Sequence, residues 1–256
     1  MAATLFYPPP QLPQTLSLLL LLLRRRAAHA PPRTLKSRLA AGETLYGLFL
    51  LSSSPTLAEI AGLAGYDYVV VDLEHGPGGV GDALPCLRAL AAARTPALLR
   101  LPEPSAAWAK KALDSAPRAS CSPWSTPPRR RARRLLLPLP PRGVRGSAHT
   151  VVRASAYGLD DACLARCEDE LLIAVQVESA PAVAAIESIA AVDDVDVVQM
   201  GPLDLSASIG YLWDPGNRKV REAVKDAERR VFAVRKNNGG GPYLGVLLCR
   251  TTERSS

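Results

Sequence analysis

Short apolar runs alternate with longer amphipathic stretches along this chain. The apolar runs fall at 45–51, 66–71, 97–101, 172–177, 196–200 and 243–248. They are rich in Val, Leu, Ile and Tyr and lack the polar alternation of a strand with one wet face. Each therefore reads as a strand buried on both sides. Between them, apolar positions recur at helical spacing and predict helices near 56–64, 81–93, 105–113, 180–191 and 217–237. Ser54 followed by Pro55 is a cap and first-turn proline for the first of these. Residues 148–168 read as loop and helix. Strand–helix alternation of this kind builds a parallel sheet covered by helices, an α/β fold.

The strands end in chemistry. The run at 66–71 delivers Asp72, Glu74 and His75 before a Gly76-Pro77 break, and the run at 97–101 carries Arg100. The run at 172–177 is followed by Glu178, and that at 196–200 by Gly201, Pro202 and Asp204. C-terminal strand tips are where parallel α/β enzymes keep their reactive groups. Two carboxylates from neighbouring tips, with few cations beside them, suit a hard divalent cation that keeps several water ligands. An arginine there can clamp a carboxylate or stabilise an enolate oxygen. No lysine stands at a strand tip, which disfavours Schiff-base chemistry.

The segments YDYVVVDLEHGP, LLRLP, IAVQVES and VDVVQMGPLDLSASIG resemble the HpcH/HpaI-type aldolases, metal-dependent class II aldolases of 2-oxo acids. The resemblance covers about 42–114 and 142–245. It implies a TIM-type (β/α)8 barrel of the phosphoenolpyruvate/pyruvate-binding kind. It also implies a divalent metal (Mg²⁺ first, Mn²⁺ or Co²⁺ as alternatives) and homo-oligomeric assembly. The implied reaction cleaves a small 4-hydroxy-2-oxo acid to pyruvate and an aldehyde. Carried over by position, Glu178 and Asp204 match the metal ligands, and His75 with Asp72 the acid–base pair. Arg100 matches the substrate clamp and Gln176 a hydrogen-bonding residue near the metal. Gly201 and Pro202 match the loop whose backbone meets the substrate carboxylate. An acyl-CoA lyase of the citrate or malyl-CoA type, or a remnant without activity, are the alternatives.

Charge divides the 256-residue chain. Its formal net charge is +7, yet residues 1–42 contain six Lys or Arg and no acid, and residues 115–142 contain seven Arg and no acid. The remainder is net acidic, and no basic, aromatic-interleaved motif marks it for nucleic acid. Residues 1–42, acid-poor and rich in Ala, Leu and Pro, read as a transit peptide or disordered leader. A plastid is the expected destination, with mitochondrion or cytoplasm as alternatives. The apolar stretch 16–23 is too short to span a bilayer, and no membrane partner is expected. Five cysteines without framework spacing do not suggest a disulfide scaffold.

A barrel domain is expected over 43–248, interrupted at 115–142 by a Pro/Arg-rich segment and followed by a disordered tail, 249–256. The interruption falls where the resembled family has its fourth strand. Codons that encode residues 115–126, shifted by one added base, regroup to read Leu-Gly-Pro-Gln-Gly-Val-Met-Phe-Pro-Met-Val-Asp, much like that strand. The replacement reads as a pair of compensating frameshifts, with a natural Pro/Arg-rich insertion as the alternative. After Gly245 the family pattern stops as well. The expected barrel is thus incomplete, with strand four scrambled and strand eight missing, and open edges that weaken folding and assembly.

Overall fold

A computed structural model describes residues 3–7, 33–115, 119–124, 149–234 and 240–248. Eight strands form one closed barrel: β1 (Ala3–Tyr7), β2 (Leu45–Leu50), β3 (Tyr68–Asp72), β4 (Ala97–Arg100), β5 (Ala119–Trp124), β6 (Leu172–Val177), β7 (Val197–Met200) and β8 (Tyr243–Leu248). Helices α1 (Leu35–Ala40), α2 (Pro55–Leu63), α3 (Val80–Ala92), α4 (Ala106–Asp114), α5 (Cys163–Glu170), α6 (Ala180–Ala184), α7 (Ile186–Ala190), α8 (Pro202–Ser208) and α9 (Arg218–Ala233) accompany them. The stretch expected as loop and helix opens with two 3-10 turns, His149–Val151 and Arg153–Gly158, before α5. One helix expected over 180–191 is broken into α6 and α7. No helix of the described residues is long and apolar enough to cross a membrane.

Side chains alternate across each strand, and that parity divides the core into three parts. Leu45, Phe49, Tyr68, Val70, Leu98, Leu172, Ala174 and Val197 point into the barrel. Their neighbours Leu48, Leu50, Val69, Val71 and Leu99 point outward against α2, α3 and α4. On the other side Val175, Val177, Val198, Met200 and Leu244 pack with α6 to α9. Gly47 lies opposite Tyr68 in register. A Cβ there would fall 2.2 Å from the Tyr68 ring, so the glycine makes room for the aromatic inside the barrel.

Helix starts are as local chemistry dictates. The Ser54, Ser105 and Ser179 hydroxyls accept from the amides of Leu57, Trp108 and Ala182. The floor of the barrel is closed by α1, whose Leu35 and Leu39 are buried among the inward residues. Around that plug, Arg38 pairs with Glu43 at 3.0 Å and Asp67 at 2.6 Å, and Lys36 with Asp196 at 3.2 Å. Asp67 and Asp196 also accept from the amides of Tyr46 and Ile173, tying the floor to the strands.

The open barrel expected from the sequence is not what forms. Residues 119–124, inside the anomalous segment, make a fourth parallel strand between β4 and β6. Backbone pairing asks for no particular side chain, so two flanking edges can order a segment as unpromising as Ala-Ser-Cys-Ser-Pro-Trp. Its proline is tolerated because β4 pairs only with Ala119–Cys121, short of Pro123. The eighth place is filled from the leader: β1 lies between β8 and β2, antiparallel to both. Residues 1–42 therefore contribute a strand and the floor helix. Residues 116–118, 125–142 and 249–256 lie outside the described residues.

Candidate functional site

Inward parity, read to the C-terminal end of each strand, collects the polar groups. Asp72 on β3, Arg100 on β4, and Gln176 then Glu178 at the tip of β6 all continue the inward-facing rows. The apolar layers below them stop one residue short. Asp72 is 2% exposed, Arg100 7% and Glu178 9%, so this is a cluster of charges at the barrel mouth with little water.

Arg100 is its hub. Its Nε donates to Asp72 Oδ1 at 2.8 Å and a terminal nitrogen pairs with Asp72 Oδ2. The other terminal nitrogen reaches Glu74 Oε2 at 3.1 Å and the Gln176 side-chain oxygen at 3.5 Å. Behind it the guanidinium lies 4.9 Å from the centroid of the Phe49 ring, a cation–π contact. Gln176 spends its amide nitrogen on Glu178 Oε2, linking the arginine to the far carboxylate. Gly201 completes the wall: a Cβ there would come 2.7 Å from the Glu178 Cβ, so a larger residue would displace that side chain.

Burial pushes the Glu178 carboxyl up to about 7, and the charges of Glu74 and Asp204 add to the effect, against the Gln176 hydrogen bond and Arg100. Burial also raises Glu74, with Asp72 and Asp204 adding and Arg100 opposing. Among the described residues, Glu74, Glu178 and Asp204 thus face one region whose guanidinium, Arg100, is already paired with Asp72. Asp204, in the first turn of α8, is exposed toward the mouth.

The structure brings together most of the residues expected to act. Asp72, Arg100, Gln176 and Glu178 are linked directly, and Asp204 is coupled electrostatically to Glu178 and Glu74. The expected side-chain pair of His75 and Asp72 is not made. Asp72 Oδ1 instead accepts from the backbone amides of Glu74 and His75, at 2.9 and 3.2 Å, and its charge goes to Arg100. The His75 side chain stands exposed at the rim. Gly201 and Pro202 likewise offer no amide to a substrate: the Gly201 N–H donates to Val177 O at 2.9 Å, and proline has none.

Two contributors carried no role in the sequence reading. Glu74 stood in the strand-tip motif without an assignment, and Phe49 looked like strand filler. The parity of β2, with Leu45 and Phe49 inward and Leu48 and Leu50 outward, was the signal for the second.

Among the described residues no group of three or more His, Cys, Asp or Glu side chains surrounds one ion position. The donors present nonetheless fit a hard cation. They are carboxylate oxygens, Glu178 is buried without a full counter-charge, and Glu74 Oε2 is a buried acceptor with no hydrogen bond beyond its ion pair. A cation would rest on Glu178 and Asp204, leaving other positions to water and substrate oxygens.

Reactive groups gathered at the C-terminal mouth of a strand barrel make this an enzyme of the barrel class. Residues 45–253 match the model of the HpcH/HpaI aldolase/citrate lyase family, and the chain belongs to that family of carbon–carbon lyases. It is 39% identical over 197 residues to a hydroxypyruvate/pyruvate aldolase of Sagittula stellata, covering 77% of this chain and 78% of the relative. It is 36% identical over 205 residues to a 2-keto-3-deoxy-L-rhamnonate aldolase of Klebsiella pneumoniae, covering 80% and 77%. Among solved structures, a family protein from Burkholderia cenocepacia superposes with a TM-score of 0.71 at 38% identity, over 79% of this chain and 82% of its own.

Proposed function

We propose that the chain is a divalent-metal-dependent aldolase that splits a 4-hydroxy-2-oxo acid into pyruvate and an aldehyde. The observation that carries this reading is the under-compensated carboxylate wall of Glu74, Glu178 and Asp204 facing Arg100, with Glu178 buried enough to sit at about 7. A divalent cation, Mg²⁺ first with Mn²⁺ or Co²⁺ as alternatives, held by Glu178 and Asp204, would supply Lewis acidity at the 2-oxo acid end of the substrate.

The side chains account for the rest. Arg100 is fixed on one edge by Asp72 and on its face by Phe49, which leaves the nitrogen shared by Glu74 and Gln176 to receive a substrate oxygen. His75 at the rim takes the proton of the C4 hydroxyl. The C3–C4 bond breaks, C4 leaves as the aldehyde carbonyl, and the bonding electrons pass into the enolate of pyruvate. Arg100 stabilises the charge on the enolate oxygen, and a proton delivered to C3 completes pyruvate. Gln176 holds Glu178 in place throughout. The name of the hydroxypyruvate/pyruvate aldolase relative supports pyruvate as a participant, and that of the 2-keto-3-deoxy-L-rhamnonate aldolase relative supports a 2-oxo acid substrate.

The test couples pyruvate release to lactate dehydrogenase. The expected result is Mg²⁺-dependent turnover that EDTA, Asp204→Asn and Glu178→Gln each abolish. Turnover that survives all three overturns the assignment. Release from an acyl-CoA thioester alone would favour the CoA-lyase alternative.

A further inference from the structure

From β2 to β8 every neighbouring pair of strands is parallel, as tandem strand–helix units deliver them. β1 alone runs against that grain. Its register sets Ala3 between Leu48 and Leu248 at the catalytic end, and Phe6 between Leu45 and Gly245 at the floor. A strand in this direction is not the eighth unit of a repeat. It is a segment laid into the gap that the repeat leaves. Without it, β2 and β8 would each present an edge of unpaired backbone along the full height of the barrel.

The tether does not force the segment into place. Tyr7 ends at the floor, and α1, the next described helix, packs against the same floor. The intervening stretch 8–34 is 27 residues long, more chain than a return across one face requires. The seam itself must supply the holding energy. The sequence of the segment suits an inserted strand: Ala-Thr-Leu-Phe-Tyr carries β-formers, and three prolines at 8–10 stop the ladder.

We infer that the seam between β8 and β2 is a strand-acceptor site, and that its occupant is residues 3–7 of this chain, added antiparallel by backbone pairing as in β-augmentation. The inference rests on sheet topology alone and is independent of the aldolase reading. It bears on the leader: any processing that removed residues 1–42 would remove both the closing strand and the floor helix.

Two measurements test it. In hydrogen exchange on the full chain, the amides of residues 3–7 are expected to be protected to the level of the β2 amides. Exchange at free-chain rates overturns the inference. In the second arm, residues 2–8 are deleted, and a labelled peptide of residues 2–10 is added back. The deletion is expected to lower the melting temperature, and the peptide to bind saturably and raise it again. The same peptide with Leu5→Pro, which lacks a central N–H, should bind at least about tenfold more weakly. A deleted chain that melts like the parent, or equal binding of both peptides, overturns it. If the deleted chain does not fold, the exchange measurement decides.

Discussion

Asp72 and Arg100 stand opposite each other in the β3–β4 register, and their side chains close a buried two-point ion pair inside the barrel mouth. Neighbouring strands thereby fix the guanidinium before any substrate arrives. Removing Arg100 leaves Asp72 buried and unpaired, at a cost of about 3–5 kcal/mol, whereas removing Asp72 leaves Arg100 its contact with Glu74 at 3.1 Å. Arg100→Ala should lower stability by that order in chemical denaturation, and Asp72→Ala by less. Arg100→Lys keeps the charge but loses the fork, and should lower kcat/KM by about 10²-fold or more. Wild-type stability and kinetics in Arg100→Lys would show that the planar fork is dispensable.

Glu178 ties stability to pH. Its carboxyl sits at about 7 in the folded chain against an ordinary value of 4.5, so between those values the folded state binds more protons than the unfolded one. Stability contributed by the protonated form is therefore present below about 4.5 and lost as pH rises toward 7, on the order of 3 kcal/mol in all. The melting temperature of metal-free protein should fall from pH 5 to pH 8, and Glu178→Gln should flatten that slope. Saturating Mg²⁺ should raise the melting temperature more at pH 8 than at pH 5, because the ion binds the deprotonated carboxylate. A slope unchanged in Glu178→Gln would assign the pH dependence elsewhere.

How far the sequence could be read depended on where the relevant forces lie. Apolar runs bounded by turns placed β2, β3, β4, β6, β7 and β8 within a residue or two, because two-sided burial leaves a direct mark on composition. Asp72, Arg100, Gln176 and Glu178, which the structure draws together, stand at or beside the ends of such runs, whereas Phe49 lies inside one and carried no mark of its own. β5 was not legible, since backbone pairing to existing edges orders it rather than any pattern of its own, and the five β-formers of β1 are too short a run to announce a strand without the edges they pair with. The family resemblance set Asp72 beside His75 as an acid–base pair. The inward rows of β3 and β4 instead set Asp72 against Arg100, 28 positions away.

That rearrangement separates His75 from the structural ion pair. An exposed rim histidine that meets Asp72 only through its backbone amide can be removed without disturbing the core. His75→Ala should leave the melting temperature unchanged while lowering kcat by about 10²–10⁴ through loss of the base. Added imidazole should restore part of the rate. A variant that retains full kcat would remove His75 from the proton transfer.

Lower in the barrel, Gly47 and Tyr68 make a prediction about packing alone. The Tyr68 ring is fully buried and lies across the place a Cβ on Gly47 would occupy. Barrel interiors are filled to crystal-like density, so neither strand can retreat to make room. Gly47→Ala should therefore lower stability by about 1–3 kcal/mol through overpacking, although alanine suits a strand no worse than glycine does. Shortening the facing residue ought to relieve the clash. The double variant Gly47→Ala, Tyr68→Leu should be more stable than the sum of the two single losses, giving a favourable coupling in a double-mutant cycle. Strict additivity would mean that the two side chains do not compete for the same space.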